Sequence, residues 1–305
     1  MNPQRVRAYT YLLIVVLIWG ASGPIIKFTL GGIDPLPFLA YRFTISAIFS
    51  LIFFLEKIKR GRKFKQLREN FPIVVLYGIL AVPLALGILF FALDKSTVLD
   101  LTLIGVIGPL MVTFGGAIFF RDHFTHREKI GIGIVLLGVL LNSFYPIFKA
   151  GYQVRLTGNL LLLLFLFADS SATLVAKRVV QKKVKSGNLT NMAFIIGAVI
   201  LIPLAVFVYG AGNLIDTILT LPLKYHLGVW YMALLSGNLA YFLYVRGQRS
   251  IEVSEAVLFN YLQPLVMIPL AIFWLGEKLS ASFMVGAIII AIGLFIAEYK
   301  RSLAK

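Results

Sequence analysis

VLDLTLIGVIGPL (Val98–Leu110) and VSEAVLFNYLQPL (Val253–Leu265) lie 155 residues apart and align without a gap. Val98 meets Val253, Asp100 meets Glu255, Leu103 meets Leu258, and Pro109 and Leu110 meet Pro264 and Leu265. In the same register Asp122 falls on Glu277, Gly131 on Gly286 and Gly138 on Gly293. Isolated matches arise by chance, but a proline, two glycines and two acids in one register argue for internal duplication. Toward the N-terminus the match thins and the shift falls to about 149, setting Ala21 and Ser22 on Ser170 and Ser171.

The duplicated segments are apolar, and so is the rest of the chain. Of 305 residues, 59% are hydrophobic and 14% charged, against roughly a quarter charged in a soluble domain. A helix needs about 20 mainly apolar residues to cross the hydrocarbon core. Ten such stretches are found, at 9–30, 36–55, 72–92, 97–120, 128–147, 157–176, 189–209, 227–246, 252–275 and 280–299. The expected fold is therefore an all-α integral membrane protein with ten transmembrane helices in two five-helix repeats, residues 1–150 and 151–305. Five is odd, so the second repeat must enter the membrane from the opposite side. Inverted repeats give inward-open and outward-open states of similar energy, the requirement for alternating access. The first apolar run keeps full length and is followed by further spans, so it is expected to stay as a helix and not be cleaved as a signal peptide.

A formal charge of +16 raises the question of a nucleic-acid partner, and the placement of the basic residues answers it. With the N-terminus taken as cytoplasmic, 22 of the 29 Lys and Arg fall in inner segments, 5 in outer ones, and Lys27 and Arg42 within spans. That asymmetry is the positive-inside pattern, placing both termini in the cytoplasm of a multi-pass cell-membrane protein. Anionic lipid at the inner face is the expected partner of this charge, and RGRKFKQLRE (60–69) is read the same way, not as a nucleic-acid site. With no cysteine in the chain, disulfides and thiol chemistry are excluded.

Further stretches carry a family likeness. IWGASGPIIK (18–27), LAYRFTISAI (39–48), the Pro109 segment, and the QPL, LGEKL and G-x6-G sequence between Gln263 and Gly293 resemble the EamA family of the drug/metabolite transporter superfamily. The likeness spans nearly the whole chain, twice over; FFRDHF (119–124) departs from the leucine-glycine-glutamate step usual in the family. It implies ten helices, both termini inside, a central substrate cavity, and export of amino acids, metabolites or drugs.

Ionisable groups inside a membrane are costly and mark function by default. Lys27 shares a stripe with Gly20 and Gly23; it either snorkels to the headgroups or faces the cavity to attract a carboxylate. Arg42 lies two turns inside its span, with Asp34 and Asp100 as the nearest candidate partners, or else it contacts substrate. Asp169 is the deepest acid, a candidate ion site, proton carrier or amine ligand. Tyr231, Asn238 and Tyr241 recur on one helical face, and Trp19 and Tyr77 are further candidates for the cavity wall. Asn260, Gln263 and Met267 share a face of the ninth span, where the fourth span offers Gly105 and Gly108. Pro109 and Pro264 are expected to bend the two spans, freeing carbonyls that only a cavity or a neighbouring helix can satisfy. Asp100 and Glu255 are candidate gates, or simply acids favoured near helix N-termini.

His123, His126 and His226 lie in or beside loops without the acids of a metal site, and no Gly-rich phosphate loop, nucleophile elbow or HExxH occurs. No enzyme and no cofactor is expected. The expected function is a secondary transporter exporting small amphiphilic metabolites such as amino acids, with a channel or lipid flippase on the same helices as the alternative. A homodimer is left open.

Overall fold

A computed structural model describes residues 3–61, 64–120, 126–144, 152–247 and 259–298, and all its described regular elements are helical. Prolines and glycines set many of the helix ends. Pro35 opens α2 (Pro35–Lys59) directly after Asp34, in the first turn, where a missing N–H is harmless. Gly210, at φ 78°, ends α7 (Ser186–Tyr209), since only glycine takes that conformation without strain. Thr97 caps α4 (Val98–Phe120) by accepting from the Asp100 N–H at 3.0 Å. The other long helices are α1 (Pro3–Thr29), α3 (Phe71–Lys95) and α6 (Tyr152–Gln181), together with α8, built of Leu223–Trp230, Tyr231–Leu239 and Ala240–Gly247.

Among the described residues seven helices are long and apolar enough to cross a membrane: α1, α2, α3, α4, α6, α7 and α8. Three shorter apolar helices are α5 (His126–Phe144), α9 (Pro264–Phe273) and α10 (Ala281–Glu298). Their outward faces are as greasy as their cores. Phe207 and Phe273 are each 88% exposed, which in water would be an aggregation site but in lipid is the expected solvent face.

Three helices depart from plain α winding. α3 carries a π-helical stretch, Leu80–Leu86, with Pro83 inside it. A proline ring crowds the carbonyl one turn back, and widening the helix relieves the clash. In α8 the π stretch is Tyr231–Leu239, where the Asn238 side-chain amide donates to the Ala233 carbonyl at 2.9 Å. α4 breaks at Val106, one turn before Pro109. The interruption lies where Pro109 was expected to bend the span.

The ninth span differs from expectation. No helix continues through Pro264: a 3₁₀ turn, Phe259–Leu262, leads through Gln263 into α9, which starts at Pro264. Proline there occupies the first turn, so it begins a helix and does not bend one. Residues 251–258, and with them Glu255, lie outside the described residues.

Helix contacts are close where glycines lie. α5 and α10 run antiparallel along a seam in which Gly138 faces the carbonyl of Gly286, and Gly293 faces that of Gly131. α2 packs on α7, α1 on α8 and α9, α6 on α3 and α4, α4 on α9, α2 on α8 and α3 on α7. In α1, a Cβ on Gly20 would come within 2.8 Å of the Val266 side chain, and one on Gly23 within 3.3 Å of Leu101 and Met267. The glycine stripe predicted to permit close approach therefore seats α1 against α9 and α4.

Candidate functional site

Arg42 is 2% exposed, about two turns into α2. Its guanidinium carbon lies 5.0 Å from the Phe43 ring centre and 5.4 Å from that of Phe90. Nε and Nη1 have no hydrogen-bond partner. The expected acids are occupied elsewhere: Asp34 accepts from the Tyr209 hydroxyl at 3.0 Å, and Asp100 binds Arg155. Two aromatic faces contribute about 0.5 to 2 kcal/mol each, less than the several kcal/mol it costs to take a charge out of water. The guanidinium is under-satisfied.

Four of the other predicted cavity residues connect to it, Tyr241 directly and Trp19, Tyr77 and Asp169 through Tyr241. Tyr241 interacts electrostatically with both Arg42 and Asp169, and Tyr77 with Tyr241 and Asp169. The Trp19 ring meets Tyr241 edge-on at 5.2 Å and Tyr244 at 5.1 Å, and Phe194 joins Tyr241 at 5.9 Å to Phe43 at 6.0 Å. Asp169 keeps accessible surface, and both tyrosines couple to it electrostatically. α1, α2, α3, α6, α7 and α8 each supply a side chain. The result is one cation and one acid held apart by aromatic surface.

Other candidates lie outside this group. The Lys27 ammonium donates to the carbonyls of Leu93 (2.7 Å) and Asp94 (3.2 Å) at the C-terminus of α3, where free carbonyls and the helix dipole favour a cation. Asn238 is turned back onto its own helix, and Tyr231 donates to the Ile18 carbonyl at 2.8 Å. The shared face expected of Tyr231, Asn238 and Tyr241 assumed α-helical winding, which the π stretch replaces. Gln263 donates to Asn260 at 3.2 Å, beside Gly20 of α1. No described contact ties this amide pair to Arg42 or Asp169.

At the Lys27 end of the bundle a second network escaped the sequence reading. Asp100, fully buried, takes a bidentate pair from Arg155 (2.7 and 2.9 Å), the Asn142 amide at 2.9 Å and the Ser96 hydroxyl at 3.3 Å. Ser96 also bonds Asn159. α4, α5 and α6 are thereby locked together. Glu277 accepts from the N–H groups of Val98 (2.7 Å) and Leu99 (2.9 Å), capping α4 from the loop between α9 and α10. Burial raises its pKa, opposed by those two N–H bonds. Nearby, Tyr41 bridges His226 Nδ1 (3.0 Å) and the Trp230 indole N–H (2.8 Å). The signal for Glu277 was its place in LGEKL; nothing in sequence marked Arg155 as the partner of Asp100.

Comparison with known proteins matches this architecture. The EamA-like transporter family profile matches residues 6–144 and again 156–299. An uncharacterized transporter of Bacillus subtilis (strain 168) is 25% identical over 304 residues, 97% of this chain and 94% of that protein. A probable amino-acid metabolite efflux pump of Salmonella typhimurium is 24% identical over 293 residues, 93% of this chain and 92% of that protein. A solved crystal structure 17% identical superposes with a TM-score of 0.61 over 98% of this chain and 99% of the other.

Proposed function

Since the chain belongs to the EamA-like transporter family and is a multi-pass membrane transporter, we propose that it is a secondary carrier of ten spans in two inverted repeats. It exports amino acids or related amphiphiles across the cell membrane, with both termini cytoplasmic. Support for the repeat comes from the contact pattern. If α1 to α5 correspond to α6 to α10, the packing of α1 on α8 and α9 has its image in that of α6 on α3 and α4, and α2 on α8 has its image in α7 on α3. The π stretches fall in the corresponding helices α3 and α8, and Gly138 opposite Gly286 mirrors Gly293 opposite Gly131.

The substrate reading rests on one observation: a buried guanidinium with unpaired N–H groups in the same interior group as a solvent-accessible carboxylate. A zwitterion satisfies both, its carboxylate on Arg42 and its ammonium at Asp169, with the side chain against Trp19, Tyr77 and Tyr241. Two relatives carry names of probable amino-acid metabolite efflux pumps, which favours the same class.

Counterflow of labelled amino acids in proteoliposomes tests the proposal. The wild type should show saturable exchange, and Arg42→Met should insert and melt like the wild type while losing at least about tenfold in apparent affinity, the equivalent of one hydrogen bond to a charge. Asp169→Asn should lose amine-bearing substrates and spare simple carboxylates. Saturable exchange unchanged in both variants overturns the site, and conductance without saturation favours a channel.

A further inference from the structure

Lys183 adopts φ 64°, the one non-glycine residue with positive φ among those described. It follows α6, where glycine is the usual terminator, and a lysine held there is strained. It lines a cleft of about 40 Å³ with Lys57, Phe64, Gln66, Leu67, Val184, Lys185 and Asn188. A single water needs about 10 to 15 Å³ on the same measure, so a group the size of phosphate fits. Among the described residues three lysines and no acid line the cleft; Glu56 and Glu69 pair with Arg60 and Lys65. Lys57 is fixed in place, bonded to Asn188 and 3.9 Å from the Phe53 ring centre. Lys185 stands at the N-cap of α7, which no side chain caps. A cation at the positive end of a 24-residue helix is unfavourable without an anion beside it.

We propose that this cleft binds a phosphate group, on a lipid headgroup or as a free anion. The uncapped N–H groups of α7 and the three ammoniums meet its oxygens, while Leu67 and Val184, buried in a small apolar cluster with Val74, Val179 and Leu189, form the floor. Lys183 occupies a glycine position because the charge is needed there.

The test uses detergent-purified full-length protein, with melting followed in dioctanoyl phosphatidylglycerol, dioctanoyl phosphatidylcholine or inorganic phosphate at matched ionic strength. The variant is Lys183→Gly with Lys185→Ser, and each change suits its local backbone, glycine at positive φ and serine at an N-cap. Without ligand the variant should therefore melt at or above the wild-type temperature. The wild type should gain several degrees with phosphatidylglycerol, or with inorganic phosphate if the source is soluble, and the variant should gain none. An undiminished gain in the variant, an equal gain with phosphatidylcholine, or no gain in the wild type with either anion overturns the site. If the double variant does not fold, Lys183→Gly alone should still show a reduced gain.

Discussion

At the scale of single residues, the charged groups divide by whether their hydrogen bonds are complete. Lys27 and Asp100 are engaged by named partners, whereas Arg42 lacks them. Glu277 is the intermediate case, with two backbone donors in a site whose burial disfavours its charge. Because its folded-state pKa is raised, the stability gained on protonation is fully present below the unfolded carboxyl value and is lost as pH rises through the folded value. Over that window the wild-type melting temperature should fall relative to Glu277→Gln, whose amide oxygen still accepts. Glu277→Ala should lower stability by about 1 to 3 kcal/mol at every pH, since the Val98 and Leu99 N–H groups are left unmet. Parallel pH profiles for wild type and Glu277→Gln would show that the carboxyl does not titrate there. The burial of Arg42 was legible in sequence, because a charge with long apolar runs on both sides must lie inside a span. The partners were not. Arg155 sits at the start of the sixth span, and only the packing of α6 beside α4 brings it to Asp100.

Among whole elements, seven of the ten expected spans are found as helices long and apolar enough to cross a membrane, and they were legible because hydrophobic length is a composition property. Their internal winding was not, since a π turn changes the hydrogen-bond register without changing the residue types that lipid selects. Pro83 was the one sequence hint in α3, and in α8 there was none of that kind. Pro264 was read as a bend because proline is equally compatible with a kink and with a first turn. Glycine spacing was the most reliable element-level signal, and the α5–α10 seam makes it testable. A Cβ on Gly293 would meet the Gly131 carbonyl and the Val135 N at 2.8 Å, both backbone atoms that cannot rotate away. Gly133, in the same region, has nothing within 4 Å. Gly293→Ala should therefore destabilise by about 1 to 3 kcal/mol as the helices are pushed apart. Gly133→Ala should be neutral, or stabilise by up to about 1 kcal/mol from helix propensity. Equal melting temperatures for the two variants would show that the seam is not close-packed.

At the scale of the whole molecule, several of the bonds found between elements gather at one end of the bundle. Asp100 with Arg155, Asn142 and Ser96, Lys27 on α3, Glu277 on α4 and Asp34 with Tyr209 all lie at one end. On the proposed alternating-access reading, a carrier fastened at that end opens toward the other. Opening the fastened end requires breaking the Asp100–Arg155 pair, and removing one partner alone would strand a buried charge at a cost of about 3 to 5 kcal/mol. The informative change is therefore Asp100→Asn with Arg155→Gln, which removes both charges and keeps hydrogen-bonding shape. Because the chain has no native cysteine, Asp169→Cys can report access to the interior with a membrane-impermeant thiol reagent, and Lys182→Cys and Asp216→Cys can report the two membrane faces. Lys182 and Asp216 should label from opposite sides, Asp216 alone on intact cells. In the otherwise unaltered protein Asp169→Cys should label only from the Lys182 side. With the neutralised pair, labelling from the Asp216 side should rise several-fold, as the equilibrium shifts by the differential stability of the two states. An Asp169→Cys probe labelled equally from both sides without the pair mutations, or unmoved by them, would show that this network holds the fold and does not govern access.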